Sequence, residues 1–271
     1  STRRRARPAS NGSRAAIRCH GQLTLLAAVL GGLAIGLSLG LLGSGGSILT
    51  VPVLHYLLQQ PEQVAIGGSL LVVGLIAAAA CVPYAMARQV DWRNVLWFGL
   101  PGMLGAWLGA SLARWVPGTA QLALFAFVML AAAWRMLRSA PVAAGDSRPN
   151  LVAIIAGGAA VGALSGLVGV GGGFLIVPAL VLALGYSMPV AVGTSLVIIS
   201  ITSAGAFTER LGTGATIPWE IVVPFTLAAI AGSFAGKVIS DRVSATTLTR
   251  SFAALLLVVA VYVTVQASMA L

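Results

Sequence analysis

Charge is scarce in this sequence. Of its 271 residues only 8% are charged and only six are acidic, whereas soluble globular proteins carry roughly 25%. So few charges cannot coat a water-facing surface, which excludes an ordinary soluble domain. Cysteine is scarce too. Cys19 lies in a polar leader and Cys81 in an apolar run, so neither a disulfide framework nor a metal cluster is expected. There are two histidines and no HExxH, CxxC or Walker pattern. An enzyme is therefore not expected, and neither is a cofactor or a metal. The GxGG runs are not dinucleotide fingerprints, because they have no βαβ context.

Apolar residues and glycine fill the chain instead, at 58% hydrophobic with 33 glycines. Long apolar runs cover 23–42, 64–86, 95–112, 120–133, 151–168, 191–207, 221–236 and 251–265. Most reach or approach the ~20 residues that a helix needs to cross a hydrocarbon core of about 30 Å. The runs lack the period-two alternation of a β-barrel. The expected fold is an all-α integral membrane protein of about eight transmembrane helices, with the lipid bilayer as its surroundings. A multi-pass protein of the cell inner (cytoplasmic) membrane is expected, and a homo-oligomer stays open.

Six arginines (Arg3, Arg4, Arg5, Arg7, Arg14 and Arg18) crowd the start of the chain among Pro, Ser, Gly and Asn. Residues 1–21 are expected to be a disordered basic segment. Nucleic-acid or anionic-lipid binding is one reading of it. The favoured one is a topology signal that keeps the N-terminus cytoplasmic, with no nucleic-acid partner.

An internal repeat is the strongest signal. Residues 40–54 (GLLGSGGSILTVPVL) match residues 166–180 (GLVGVGGGFLIVPAL) at nine of fifteen positions, 126 residues apart. The offset extends to Gly32 and Gly36 against Gly158 and Gly162, and to Ala65, Gly67, Ser69 and Leu70 against Ala191, Gly193, Ser195 and Leu196. One residue further in register, Trp92 pairs with Trp219, Gly105 with Gly232, Gly109 with Gly236 and Phe125 with Phe252. The expected organisation is a first membrane repeat at 22–139, a linker at 140–149 and a second repeat at 150–271. The basic loops holding Arg88, Arg93, Arg135, Arg138 and Arg148 are placed on the same side as the leader. That placement needs four crossings per repeat, a segment at 45–59 that dips in and returns, and repeats in parallel orientation, whereas full crossings by 45–59 and 171–185 would invert the repeats and put the linker arginines outside.

Glycines in succession break a helix and allow positive φ. Irregular backbone at membrane depth survives only where protein buries it or where it lines a wet cavity. The helix that restarts beyond each break presents free N–H groups and the positive end of its dipole, an anion site that needs no Lys or Arg. The candidate substrate-binding residues are Ser44, Gly45, Gly46, Ser47 and Ser69 in the first repeat. In the second they are Val170, Gly171, Gly172, Gly173, Thr194 and Ser195. Pro52 and Pro178 should each free a carbonyl four residues back, at Ile48 and Phe174. The GxxxG series in both repeats are read as helix-packing positions.

All six acidic residues fall in loops or at helix ends, whereas cation sites commonly use buried carboxylates. The substrate is therefore read as a small anion. His55, on the segment after the first glycine motif, is a candidate coupling group by its pKa class, although a structural role is the favoured reading. Lys237, with Asp241 one turn on, is read by default as a snorkelling lysine, with substrate attraction as the alternative. Trp92, Trp97, Trp115, Trp134 and Trp219 are read as interfacial anchors.

On these residues the sequence resembles the sulfite exporter TauE/SafE family over nearly all of 22–268. The carriers are the GxGG-x5-P motif from Gly43 to Pro52 and from Gly169 to Pro178, and AxGTSL from Ala191 to Leu196. The first copy of the latter reads AIGGSL, with Gly68 in place of Thr. The resemblance implies a transporter, usually exporting, for sulfite or a related sulfur-containing or organic anion. A passive anion channel and a non-transporting membrane scaffold remain as alternatives.

Overall fold

The computed structural model describes residues 11–46, 50, 62–113, 115–138, 151–168, 173–211 and 219–269. Within them the regular elements are helices: α1 (Asn11–Leu42), α2 (Glu62–Met86), α3 (Trp92–Ala113), α4 (Gly118–Arg138), α5 (Leu151–Val168), α6 (Gly173–Leu184), α7 (Met188–Leu211), α8 (Trp219–Arg242) and α9 (Ala245–Met269). Five contain stretches long and apolar enough to cross a membrane: Gly68–Met86, Trp92–Ala113, Met188–Gly205, Val222–Arg242 and Ala245–Tyr262. Leu104, Trp107, Phe127, Leu227 and Val258 are exposed, as helix faces turned to lipid should be. The chain is a multi-pass membrane protein. α1 starts at Asn11, inside the leader expected to be disordered. Extending an existing helix gains one hydrogen bond for each residue fixed.

Two helix pairs carry the closest packing, and glycine permits both. A methyl group at Gly32, Gly36 or Gly40 would overlap the backbone of Phe225, Ala229 or Ser233. One at Gly158, Gly162 or Gly166 would overlap that of Phe98, Gly102 or Ala106. The reciprocal glycines do the same, with Gly105 and Gly109 on Ala159 and Ala163, and Gly232 and Gly236 on Leu33 and Leu37. Small residues let backbones touch where lipid offers no hydrophobic drive for helix association. In both interfaces residue numbers rise together, so α1 runs parallel to α8 and α3 parallel to α5.

The remaining directions follow from individual bonds. The Tyr84 hydroxyl, near the end of α2, donates to the Gly40 carbonyl, near the end of α1, at 2.7 Å. α1 and α2 therefore finish at the same end of the bundle. The 25-residue α2 is about 37 Å long, so the chain is back at the opposite end by Glu62. A short turn reverses α2 into α3, and α3 is parallel to α5. Thus α1 and α5 run antiparallel. The expected parallel repeats, with a segment returning to the side it left, do not match these directions. The reason lies in the helix ends: α1 finishes at Leu42 at one end of the bundle and α2 starts at Glu62 at the other. Arg88, Arg93, Arg135, Arg138 and Arg242 sit at the end where α1 finishes, opposite the start of α1 at Asn11, while residues 1–10 and Arg148 lie outside the described residues.

α6 has only 12 residues, about 18 Å, against the ~30 Å of a hydrocarbon core. Gly185, at φ +67, turns the chain, and the Tyr186 N–H donates to the Leu180 carbonyl at 3.2 Å before α7 begins.

Candidate functional site

The site is built on the end of α1. Gly43 adopts φ +82, and its N–H donates to the Leu39 carbonyl at 2.8 Å. This is the left-handed cap that stops an α-helix, and it suits glycine because no Cβ meets the backbone. Unwinding orphans the next carbonyl, Gly40, and the Tyr84 hydroxyl satisfies it. Helix resumes at Gly45 and Gly46, where Thr50 Oγ1 donates back to the Gly46 carbonyl at 2.8 Å. The first glycine motif is therefore a break, as expected. Gly43, Ser44, Gly45 and Gly46 are all buried.

Two distant segments meet this break. The Ser44 hydroxyl donates to the Phe174 carbonyl at 3.4 Å, a long bond joining the first motif to the first turn of α6. Phe174 is the residue whose carbonyl Pro178 was expected to free. Phe174 also packs edge-on against Phe125 of α4, with ring centroids 4.9 Å apart. From the other side comes α7. A Cβ on Gly43 would lie 2.8 Å from Ser195 Oγ and 3.0 Å from Val192 Cα. The structure thus brings Gly43 against Ser195 and Ser44 against the first turn of α6, which Gly173 opens, whereas Gly45 faces Leu255 and Ser38, Gly46 faces Ile35 and Leu39, and Thr194 faces Asp91. Ser69 is buried on α2. Ser47, His55, Val170, Gly171 and Gly172 lie outside the described residues.

The hydroxyls hydrogen-bond to backbone groups. Ser195 Oγ donates to the Val192 carbonyl at 2.8 Å, and Thr194 Oγ1 accepts from the Asp91 N–H at 3.1 Å. Along with Ser44 they brace backbone. Amides of the restarting helix at Gly45 and Gly46 are the donors the break itself provides.

The short loop between α2 and α3, expected around Arg88 and Arg93, seals this region. α2 ends in a Schellman cap. Gln89 N–H donates to the Tyr84 carbonyl at 2.9 Å, Arg88 N–H to Ala85 at 3.0 Å, and Arg88 takes the left-handed position at φ +56. The cap throws the chain onto α7, where a methyl on Gly193 would overlap the Gln89 carbonyl. That contact gives the glycine of AxGTSL a physical purpose. Asp91 then caps α3, accepting from the Asn94 N–H at 3.2 Å. Its other carboxylate oxygen accepts from Asn94 Nδ2 and from the Tyr186 hydroxyl, each at 2.7 Å. Asn94 Nδ2 also reaches the Tyr186 oxygen. Burial first, then the hydrogen bond to Asp91, raise the Tyr186 pKa above the usual tyrosine range. The Asp-x-x-Asn spacing before an apolar run was a legible capping signal. Its partnership with Tyr186, 95 positions on, was not.

Lys237 also departs from the snorkelling expectation. It is only 4% exposed. Its ammonium pairs with Asp241 and lies 4.5 Å from the Tyr84 ring centroid.

Residues 28–263 match the family model described as sulfite exporter TauE/SafE. A protein of Xylella fastidiosa named "Probable membrane transporter protein" is 35% identical over 254 residues, covering 89% of this chain and 95% of its own. The Bacillus subtilis protein named "Probable membrane transporter protein YunE" is 27% identical over 243 residues, 80% of this chain and 89% of its own. A Methanocaldococcus jannaschii protein, also named as a membrane transporter, is 28% identical over 190 residues, 68% of this chain and 71% of its own. No solved structure matches the chain.

Proposed function

We propose, from the premise that this chain belongs to the TauE/SafE sulfite exporter family and is a membrane transporter, that it carries sulfite or a related small anion out across the inner membrane. In this reading 22–139 and 150–271 are two related units of opposite orientation, joined at 140–149. The antiparallel course of α1 and α5 supports that relation. So does the shared register of the α1–α8 and α3–α5 interfaces, which exchange under the 126- and 127-residue offsets. Eight long helices and two short segments at 45–59 and 171–185 then make up the membrane domain. The anion sits between the units, at the amides of Gly45, Gly46, Gly171, Gly172 and Gly173. Ser44, Ser47, Ser69, Val170, Thr194 and Ser195 complete its surroundings.

One observation carries the reading. The helix break at Gly43 and Ser44 lies in the interior, where it meets the first turn of α6 and the AxGTSL motif of α7. Broken backbone from one unit touching the motif of the other, toward the end of the bundle where α1 finishes, supports a site built as discontinuous-helix transporters build theirs.

The test is a thermal-shift screen of the purified protein against sulfite, sulfate, thiosulfate, sulfonates and small carboxylates. A ligand that binds only the folded form raises Tm by mass action, by about 2.7 kcal/mol of stability at a hundredfold excess over Kd. Sulfite flux into liposomes is measured in parallel for wild type and Gly45→Ala. The added methyl meets Leu255 Cδ2 and Ser38 Oγ, side-chain ends that can move, so the variant should fold and lose flux. No stabilisation by any anion, together with no flux, refutes the proposal.

A further inference from the structure

We propose that Lys237 is the amine that receives the anion on the side where α1 ends, and that Asp241 is the built-in counter-ion the anion displaces. The inference rests on the anion-carrying reading above. Lys237 is the only lysine in the chain, and it stands inside the apolar span Val222–Arg242. A buried ionisable group is costly at such a place and marks function with its partner.

Its position follows from the register of α1 against α8. Gly40 packs on the Ser233 backbone, and α1 ends two residues later at Leu42. α8 runs on to Arg242, nine residues or about 13 Å further. Lys237, one turn beyond Ser233, is therefore level with the break at Gly43. The neighbouring Gly236 confirms the height, since a Cβ there would come 2.9 Å from the Leu41 nitrogen and 3.0 Å from the Gly40 carbonyl carbon. Tyr84 closes the third side. Its ring lies against the ammonium and its hydroxyl holds the Gly40 carbonyl.

Electrostatics favour a cation here. The carbonyl end of α1 points to this side and carries the negative pole of the helix dipole, which repels an incoming anion. Lys237 offsets that repulsion. The ion pair itself is lopsided: the Lys237 side chain is 5% exposed and that of Asp241 55%. The carboxylate can swing into water at little cost, whereas the buried ammonium must keep a negative partner. A compact oxyanion suits the exchange, because an ammonium is a point charge with three donors. The anion would take the ammonium, Asp241 would turn outward, and the load would stand beside the amides of Gly45 and Gly46. Asp241 would re-form the pair once the anion has left.

The experiment is calorimetric titration of sulfite into the full-length protein in detergent, as wild type, Lys237→Met, Asp241→Asn and the double variant. Loss of a charge-assisted contact should weaken sulfite binding about tenfold or more in Lys237→Met. Asp241→Asn, which removes the competitor, should tighten it. The double variant should stay as weak as Lys237→Met. A purely structural ion pair predicts otherwise: Asp241→Asn weakens binding as much as Lys237→Met, and the double variant restores it. Either result overturns the proposal. Should Lys237→Met misfold, the double variant, which buries no unpaired charge, decides alone. A second readout uses the single lysine. Sulfite should slow acetylation of Lys237 by an amine-reactive ester, followed by mass spectrometry, and an unchanged rate under saturating sulfite overturns the assignment. A wild type that binds none of the anions overturns the transport reading itself. Normal wild-type binding with indifferent Lys237 variants overturns only the lysine's part.

Discussion

Gly43→Ala tests the helix break most directly. Two costs add. Gly43 sits at φ +82, and a left-handed conformation costs an L-residue about 1–2 kcal/mol. The new methyl would stand 2.8 Å from Ser195 Oγ, 3.0 Å from Val192 Cα and 3.1 Å from Val192 Cγ1, closer than ordinary contact. Overpacking of this sort costs about 1–3 kcal/mol. The total, about 2–5 kcal/mol, is a large share of a typical folding free energy of about 5–15 kcal/mol. Unfolding in detergent, followed by tryptophan fluorescence against denaturant, measures the loss. A Ser195→Ala partner separates the terms. It removes the Oγ contact but leaves the strained φ and the backbone contact at Val192. Gly43→Ala with Ser195→Ala should therefore regain only part of the stability, with a coupling on the order of 1 kcal/mol. A single variant within about 0.5 kcal/mol of wild type would refute the reasoning, because the turn would then accept a side chain.

Tyr84→Phe removes the donor to the Gly40 carbonyl while keeping the ring, and should cost about 1–3 kcal/mol for a buried acceptor left unpaired; chemical denaturation checks it. Tyr186→Phe cuts the tie between the α6–α7 turn and Asp91, and should lower stability by about 1–2 kcal/mol, since hydrogen bonds to charged groups are the stronger ones. The same residue predicts a pH effect. Its folded-state pKa is raised, so the neutral phenol's contribution is complete below the unfolded value near 10 and is lost as pH climbs through the folded one. The Tm difference between wild type and Tyr186→Phe should therefore shrink above about pH 10, and a constant difference would contradict it.

Much of this chain was legible because membrane proteins write strong constraints into sequence. Low charge and long apolar runs established helices in a bilayer. The glycines at 32, 36 and 40, and at 158, 162 and 166, were read as packing positions, and they form the two tightest interfaces. Gly43 was read as a break and is one. The carbonyl at Phe174 was expected to be freed by Pro178, and Ser44 donates to it. Each of these rests on backbone chemistry local to a few residues.

Direction, partnership and burial were decided elsewhere. Whether α2 runs with α1 or against it is set by which ends meet, here Tyr84 on the Gly40 carbonyl, and hydropathy does not record that. Tyr84, Asp91, Tyr186 and Lys237 gain their meaning from partners on other helices, and their neighbours in sequence do not announce those partners. Lys237 shows the division well. By itself it reads as a lysine near a helix end, free to reach for water. Packing of α8 against the finished end of α1, under the Tyr84 ring, keeps its ammonium inside. A linear pattern specifies which residues want to be buried or to break a helix, whereas only the packed bundle sets which charges and carbonyls end up face to face.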